Sequence, residues 1–294
     1  MKPARFSYSR PEQLKELFEL LDRHADSAKI IAGGQSLVPM MNMRLARPEV
    51  LIDINRLTDL SYIVRKEERI EIGALTRQSD IEGSELLKEA CPILPFAVGK
   101  IGHYAIRQRG TIGGSVVHAD PSAELPVIAS LLDANIHIAS SEGERTVPAE
   151  EFFVTIYTTD LLPMEVVTSI DFPVLEAGEG WAYRDFTRRA GDYAIVSVGA
   201  TMKLDEQGQV NRMRLALGGV QDIPHNVKSL LDPYLDAVPD KEWMHYLVEE
   251  ITSELDANSD IHASSEDRIE LLKVLIPAAV DDALQRAKGG EPVK

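Results

Sequence analysis

Cysteine is almost missing from this 294-residue chain: Cys91 stands alone. A single thiol allows no intrachain disulfide and cannot supply the ligand set of an iron–sulfur cluster or a structural zinc. The seven histidines are scattered, with no HExxH and no pair four residues apart, so a metal site has little support. No apolar run approaches a membrane span, and the opening MKPARFSYSR lacks an apolar stretch of signal-peptide length. A cytoplasmic protein is the expectation. Basic residues are in short supply as well, Lys+Arg 31 against Asp+Glu 47, for a net charge of −16. That balance argues against nucleic acid or an anionic membrane as the main partner, because nothing neutralises phosphates in bulk. It leaves room for a local phosphate pocket built from backbone N–H groups. There is no internal repeat and no low-complexity segment. The remaining composition, 44% hydrophobic and 27% charged, is that of a globular protein long enough for two or three packed units.

The most informative stretch is Gly110 to Pro126, GTIGGSVVHADPSAELP. Gly113 and Gly114 lack a Cβ, so the backbone there can turn through positive φ and approach a ligand closely. Consecutive N–H groups in such a turn form a concavity suited to phosphate. Asp120-Pro121 reads as an N-cap followed by proline at the first helical position, with Val127, Ile128, Leu131 and Leu132 as the apolar face. His118 fits a capping or bridging role within this turn. A second glycine loop, Gly33-Gly34-Gln35-Ser36-Leu37, follows the apolar run Ala28–Ala32. It is not a Rossmann fingerprint, since AGGQSL fails at the second glycine of G-x-G-x-x-G.

Around these loops the chain reads as mixed α and β. Ser9 to Glu12 forms an S-x-x-E pattern before an amphipathic helix over 11–22, and 28–32 and 50–54 read as strands. Residues 69–74 alternate as a strand, with Thr76 capping a short helix through Ile81. Strand patterns recur at 134–139, 145–147, 152–157 and 165–172. The composition shifts at Glu176–Gly180, a plausible boundary. Beyond it come strands at 181–188, 194–204 and 211–219, the last two joined by the turn Asp205-Glu206-Gln207-Gly208. The remainder is helical, with Pro277 placed to kink a helix over about 266–288.

A-G-G-Q-S at 32–36 and T-I-G-G-S at 111–115 occur in an order and context that closely resemble the FAD-binding medium subunits of molybdenum hydroxylases, the carbon monoxide dehydrogenase and xanthine dehydrogenase family. Three later stretches extend the resemblance. Arg188-Arg189-Ala190-Gly191-Asp192-Tyr193-Ala194 is similar to the family's R-x-G-D-F/Y-A. Ala216-Leu217-Gly218-Gly219-Val220 is similar to its A-L-G-G-V. Ser265-Glu266-Asp267-Arg268 is a variant of its late S-x-x-Y/H-R.

The resemblance implies an α+β chain. Two α/β subdomains, 1–57 and 58–176, form a vanillyl-alcohol-oxidase-type FAD-binding fold. A C-terminal antiparallel sheet with a helical bundle spans 177–288. It implies that Ala32, Gly33, Gly34, Gln35, Ser36 and Leu37 face Thr111, Ile112, Gly113, Gly114 and Ser115 across the cofactor's pyrophosphate. It places Glu124, Ile101, Val167, Arg184 and Tyr193 near the flavin, Tyr193 as a shield for one face. It assigns no catalytic acid, base or metal ligand to this chain. The molybdenum cofactor is expected on a large partner subunit and the 2Fe–2S clusters on a small one, in a dimer of heterotrimers with an external electron acceptor. The single cysteine agrees with clusters held elsewhere. The glycine loops alone also fit an autonomous FAD-dependent oxidase or dehydrogenase, or a non-catalytic nucleotide-binding module.

Overall fold

The first 57 residues build a small parallel sheet. Its strands are β1 (Ser7–Ser9), β2 (Ala28–Ile31) and β3 (Val50–Asp53), in the order β1-β3-β2. The computed structural model describes residues 1–290. Helix α1 (Leu14–His24) crosses between the first two strands and lays Leu17 and Leu21 against Val50 and Ile52, as its spacing predicts. The expected S-x-x-E cap does not form. Ser9 is paired with Ile52 in the sheet, the N-cap is Gln13, and the backbone N–H of Glu12 donates to Glu16 instead. Helix α2 (Leu37–Asn42) starts directly behind the first glycine loop.

Residues from 58 on form a five-stranded antiparallel sheet of β4 (Ile63–Lys66), β5 (Arg69–Gly73), β6 (Asn135–Ser140), β7 (Gly143–Pro148) and, after the short hairpin β8 (Phe153–Thr155) and β9 (Thr158–Thr159), β10 (Val166–Pro173). Its order is β4-β5-β10-β6-β7. The helices α3 (Gln78–Gly83), α4 (Glu85–Ala90), α5 (Ile93–Val98), α6 (Tyr104–Arg107), α7 (Ile112–His118), α8 (Glu124–Leu131) and α9 (Ala149–Phe152) lie between β5 and β8. Apart from α6, their apolar faces join Ile70, Ile72, Ile170 and Phe172 in the largest core. Thr76 is not a helix cap: its hydroxyl donates to the carbonyl of Tyr62 and accepts the N–H of the same residue, and the N-cap of α3 is Arg77.

The third body is the antiparallel sheet of β11 (Gly180–Phe186), β12 (Val196–Leu204), β13 (Val210–Gly218) and β14 (His225–Asn226). It is backed by α10 (Lys241–Glu254) and α11 (Ser265–Ala287), which runs through Pro277 as one helix. Helix α8 is the keystone between the second and third bodies, buried along its whole length. Glycines on the facing sheet make room for it, since a Cβ at Gly218 would sit 2.5 Å from the side chain of Val127. No helix among the described residues is long and apolar enough to cross a membrane.

Candidate functional site

Strand β2 ends at Ile31 and delivers residues 32–36 to the N-terminus of α2. Gly34 turns the chain at φ +73°, in the left-handed region that favours glycine. The backbone N–H groups of Gly33, Gly34, Gln35, Ser36 and Leu37 donate to no acceptor among the described residues. Five donors at a helix start form an anion-seeking cradle. The loop is braced from behind. Asn55 donates to the carbonyl of Ala32 at 2.8 Å and is itself held by Asp53 at 2.6 Å.

The second glycine stretch works differently from the sequence expectation. Residues 112–118 are helical, and neither Gly113 nor Gly114 adopts positive φ. Thr111 caps this helix by accepting the N–H of Gly114 at 3.1 Å. The N–H groups of Ile112, Gly113 and Ser115 donate to Thr76, Ala74 and Thr111 carbonyls. No nest of free donors exists here, because the cap and the adjoining strand consume them. The glycines instead permit close approach: a Cβ at Gly113 would stand 2.6 Å from that of Ala74.

The two stretches meet at Gly33. A Cβ on Gly33 would lie 2.3 Å from the carbonyl oxygen of Arg109. Arg77 clamps the junction by donating Nη1 to that same carbonyl and Nη2 to Asn55 at 2.7 Å. Between the loops opens a cavity of about 510 Å³. Its walls include Ala32, Gly33, Gly34, Gln35, Ser36, Leu37, Ile101, Thr111, Gly113, Gly114, Ser115, Glu124, Val167 and Tyr193. The fold therefore brings together residues from all three bodies.

Two expected positions lie elsewhere. Ile112 is fully buried in the core of the second body and its N–H is taken by Thr76. Arg184 sits on β11 one residue after the buried Tyr183, and strand alternation turns it toward α11, where Nε meets Asp282 at 2.6 Å. Gln78, His118 and Tyr157 also line the cavity. Gln78 is 4% exposed and its Oε1 has no hydrogen-bond partner among the described residues. His118 does not cap its turn. It stacks on Tyr157 with ring centroids 5.0 Å apart, and the Tyr157 hydroxyl donates to Asp120 at 3.3 Å.

Burial sets the electrostatics. It pushes the Glu124 carboxyl up to about 7, with the carboxylates of Asp185 and Asp120 adding to the effect. Burial also holds His118 below the usual imidazole range and raises the Tyr193 phenol to about 12. At neutral pH the cavity thus offers a neutral imidazole, a neutral phenol and a carboxyl near its midpoint. Beside the anion cradle runs an apolar trough lined by Ile30, Ile54, Leu75 and Val166, suited to planar rings.

Comparison with known proteins accords with this arrangement. Residues 4–175 match the family described as the FAD binding domain in molybdopterin dehydrogenase, and residues 181–283 match the CO dehydrogenase flavoprotein C-terminal domain. The chain is 37% identical to the alpha subunit of the 6-hydroxypseudooxynicotine dehydrogenase complex of Paenarthrobacter nicotinovorans, covering 98% of this chain and 97% of that one. It is 32% identical to the carbon monoxide dehydrogenase medium chain of Afipia carboxidovorans, over 98% and 100% of the two chains. Among solved structures, a carbon monoxide dehydrogenase chain from Hydrogenophaga pseudoflava superposes with a TM-score of 0.94 at 32% identity, covering 97% and 99%.

Proposed function

This chain belongs to the family of FAD-binding medium subunits of the molybdenum hydroxylases, which are oxidoreductases, and we propose that it works as the electron-transfer subunit of such a complex. In this reading it takes electrons from iron–sulfur clusters on a small partner and passes them through FAD to an external acceptor. Substrate is oxidised at a molybdenum cofactor on a large partner, in a dimer of heterotrimers. The division into subdomains 1–57 and 58–176 and a C-terminal domain 177–288 is part of the same proposal; the three cores follow it broadly, with Leu60, Leu75 and Val166 crossing into the first and Tyr183 and Ala216 into the second.

The single observation that carries the reading is the cavity between the two glycine stretches, with five undonated N–H groups on one wall. A diphosphate fits that wall: it brings acceptors to Gly33–Leu37, while Thr111, Gly114 and Ser115 bound it opposite. Ile101 and Val167 would pack on the ring system, with Tyr193 over the mouth. Bound FAD supplies the exchange between one-electron donors and a two-electron acceptor. The chain's own part is to hold the rings, exclude water from them and set their dipolar surroundings. Gln78 lines the cavity, but its Oε1 is packed against Gly110 and closed off from the open space.

The test is co-expression with neighbouring genes, followed by an absorption spectrum and metal analysis of what co-purifies. A flavin spectrum with iron and molybdenum on two accompanying chains is the expected result. Flavin on a solitary chain that is bleached by a substrate identifies an autonomous enzyme. A colourless protein that stays flavin-free after incubation with FAD overturns the reading.

A further inference from the structure

Glu124 is a carboxyl group in an unusual position. It occupies the first turn of α8, is 7% exposed, and faces the cavity. Among the described residues no side chain donates a hydrogen bond to it; the help it receives comes from its own backbone N–H. The charges around it are mostly of its own sign. Asp120 precedes it on the loop from α7, and Asp185 faces it from β11. The nearby cation, Lys100, is already engaged by Asp185 at 3.1 Å. Behind it lies Tyr183, a fully buried phenol, and across the mouth lies Tyr193. An ionised carboxylate in this setting would be desolvated, unpaired and flanked by two further carboxylates, which is the costliest arrangement for a charge.

We propose that Glu124 is held as the neutral carboxylic acid when the cleft is filled, and that it donates its proton as a hydrogen bond to an acceptor atom of the bound flavin cofactor, so that cofactor and proton bind together. This rests on the flavin reading of the cleft. A dinucleotide that fills the cavity displaces water and carries negative phosphates, and both changes favour the protonated carboxyl still more. Wherever the empty cleft has Glu124 ionised, binding takes up one proton. Glu124 is thus a positioning residue that reads cofactor chemistry through a donor. A carboxylate could offer only acceptors.

The nearby groups leave the window clear. Tyr193 keeps its proton throughout the neutral range, and His118 is deprotonated there. Above about pH 7, Glu124 is the group in the cavity wall whose charge changes on the reading above.

The experiment is a titration of the full-length chain, stripped of cofactor, with FAD at a series of pH values, read by flavin fluorescence and by calorimetry in two buffers of different ionisation enthalpy. For the native chain, affinity falls by up to about tenfold per pH unit above neutrality, with proton uptake approaching one. Glu124→Gln keeps an N–H donor and has no titration: it binds FAD with the native acid-limb affinity and no slope. Glu124→Asp restores the slope at reduced affinity. Infrared difference spectra of the native chain and Glu124→Gln should show a protonated carboxyl at neutral pH that disappears on substitution, a readout that needs no cofactor. A flat native profile, or a slope that survives in Glu124→Gln, overturns the proposal. FAD failing to bind at every pH overturns the flavin reading itself, and the proposal with it; a slope alone failing leaves that reading intact.

Discussion

Replacing Gly33 with alanine is the sharpest test of how the cleft is built. A Cβ there would stand 2.3 Å from the carbonyl oxygen of Arg109 and 2.9 Å from the Cα of Gly110, whereas ordinary contact begins at 3.4 Å. Both obstacles are backbone, so no side chain can rotate aside. The loops must part by about 1 Å in a close-packed junction. Arg77, which donates to the same carbonyl and to Asn55, resists that movement. Overpacking of this kind costs about 1–3 kcal/mol.

The distribution of that cost is the informative part. If the chain absorbs it rigidly, the melting temperature falls by about 2–4 °C per kcal/mol. If the junction opens, the cost appears as roughly 5- to 150-fold weaker FAD binding. Flavin content after gel filtration, the FAD dissociation constant and the melting curve together measure both routes. Gly83→Ala is the control, because a Cβ there meets nothing within 4 Å and the position is helical; it should be neutral or slightly stabilising. A Gly33→Ala chain with native melting temperature and native FAD affinity would refute the close-contact account.

Arg268 is 3% exposed and donates to the carbonyls of Ile195 and Gly219 while pairing with Asp260 at 2.8 Å; Arg268→Met should destabilise by about 2–4 kcal/mol, measured by denaturant unfolding. Thr201 is fully buried on β12 and its hydroxyl has no partner among the described residues, so Thr201→Val should be neutral or stabilising by up to about 1 kcal/mol in the same assay. The hydrogen bond and charge of Asp171 raise the His137 imidazole; burial opposes the lowering of Asp171, yet hydrogen bonds from His137 and Arg69 hold it down. The His137 contribution is fully present below its unfolded value of about 6.5 and fades as pH rises through its raised folded value, while the Asp171 contribution is lost in acid below about 4. His137→Gln should therefore narrow its stability gap from the native chain as pH rises above neutrality, and a gap that widens would be inconsistent with the pair.

Much of the fold is legible because its elements are locally self-consistent. AKII and VLID are short apolar runs rich in branched residues, and both are strands. Helix boundaries were less legible where a side chain found a tertiary partner. Asp120-Pro121 looks like a helix start, yet α8 begins at Glu124, because the Asp120 carboxylate accepts the Ser122 N–H at 3.0 Å and the Tyr157 hydroxyl. The Gly113-Gly114 turn became a helix for a similar reason, the Thr111 cap. Side-chain direction explains the misplaced site residues. Ile112 lies between two cavity-lining residues and Arg184 seven before the next one, but helix and strand geometry turn them to a core and to α11. Gln78 and Tyr157 carry no local signal at all. They reach the cavity because α3 and the β8–β9 hairpin pack there.

Motif and site are not the same thing in this chain. The two glycine stretches shape the cavity, one by freeing donors and the other by admitting close contact. The three later motifs converge on a single guanidinium. Arg268 from the SEDR stretch grips the carbonyl of Gly219 at the end of ALGGV and that of Ile195, which follows RRAGDYA directly. Gly219 itself approaches the Ile195 carbonyl so closely that a Cβ would stand 2.5 Å away. Tyr193, two residues before Ile195, lines the cavity. The carbonyl of Ile195 is therefore held by a guanidinium 73 residues later in the chain, on the last helix, and Tyr193 sits two residues from that anchor. Loss of the Arg268 guanidinium should loosen the mouth of the cleft as well as the fold, whereas loss of Gly33 acts at its floor.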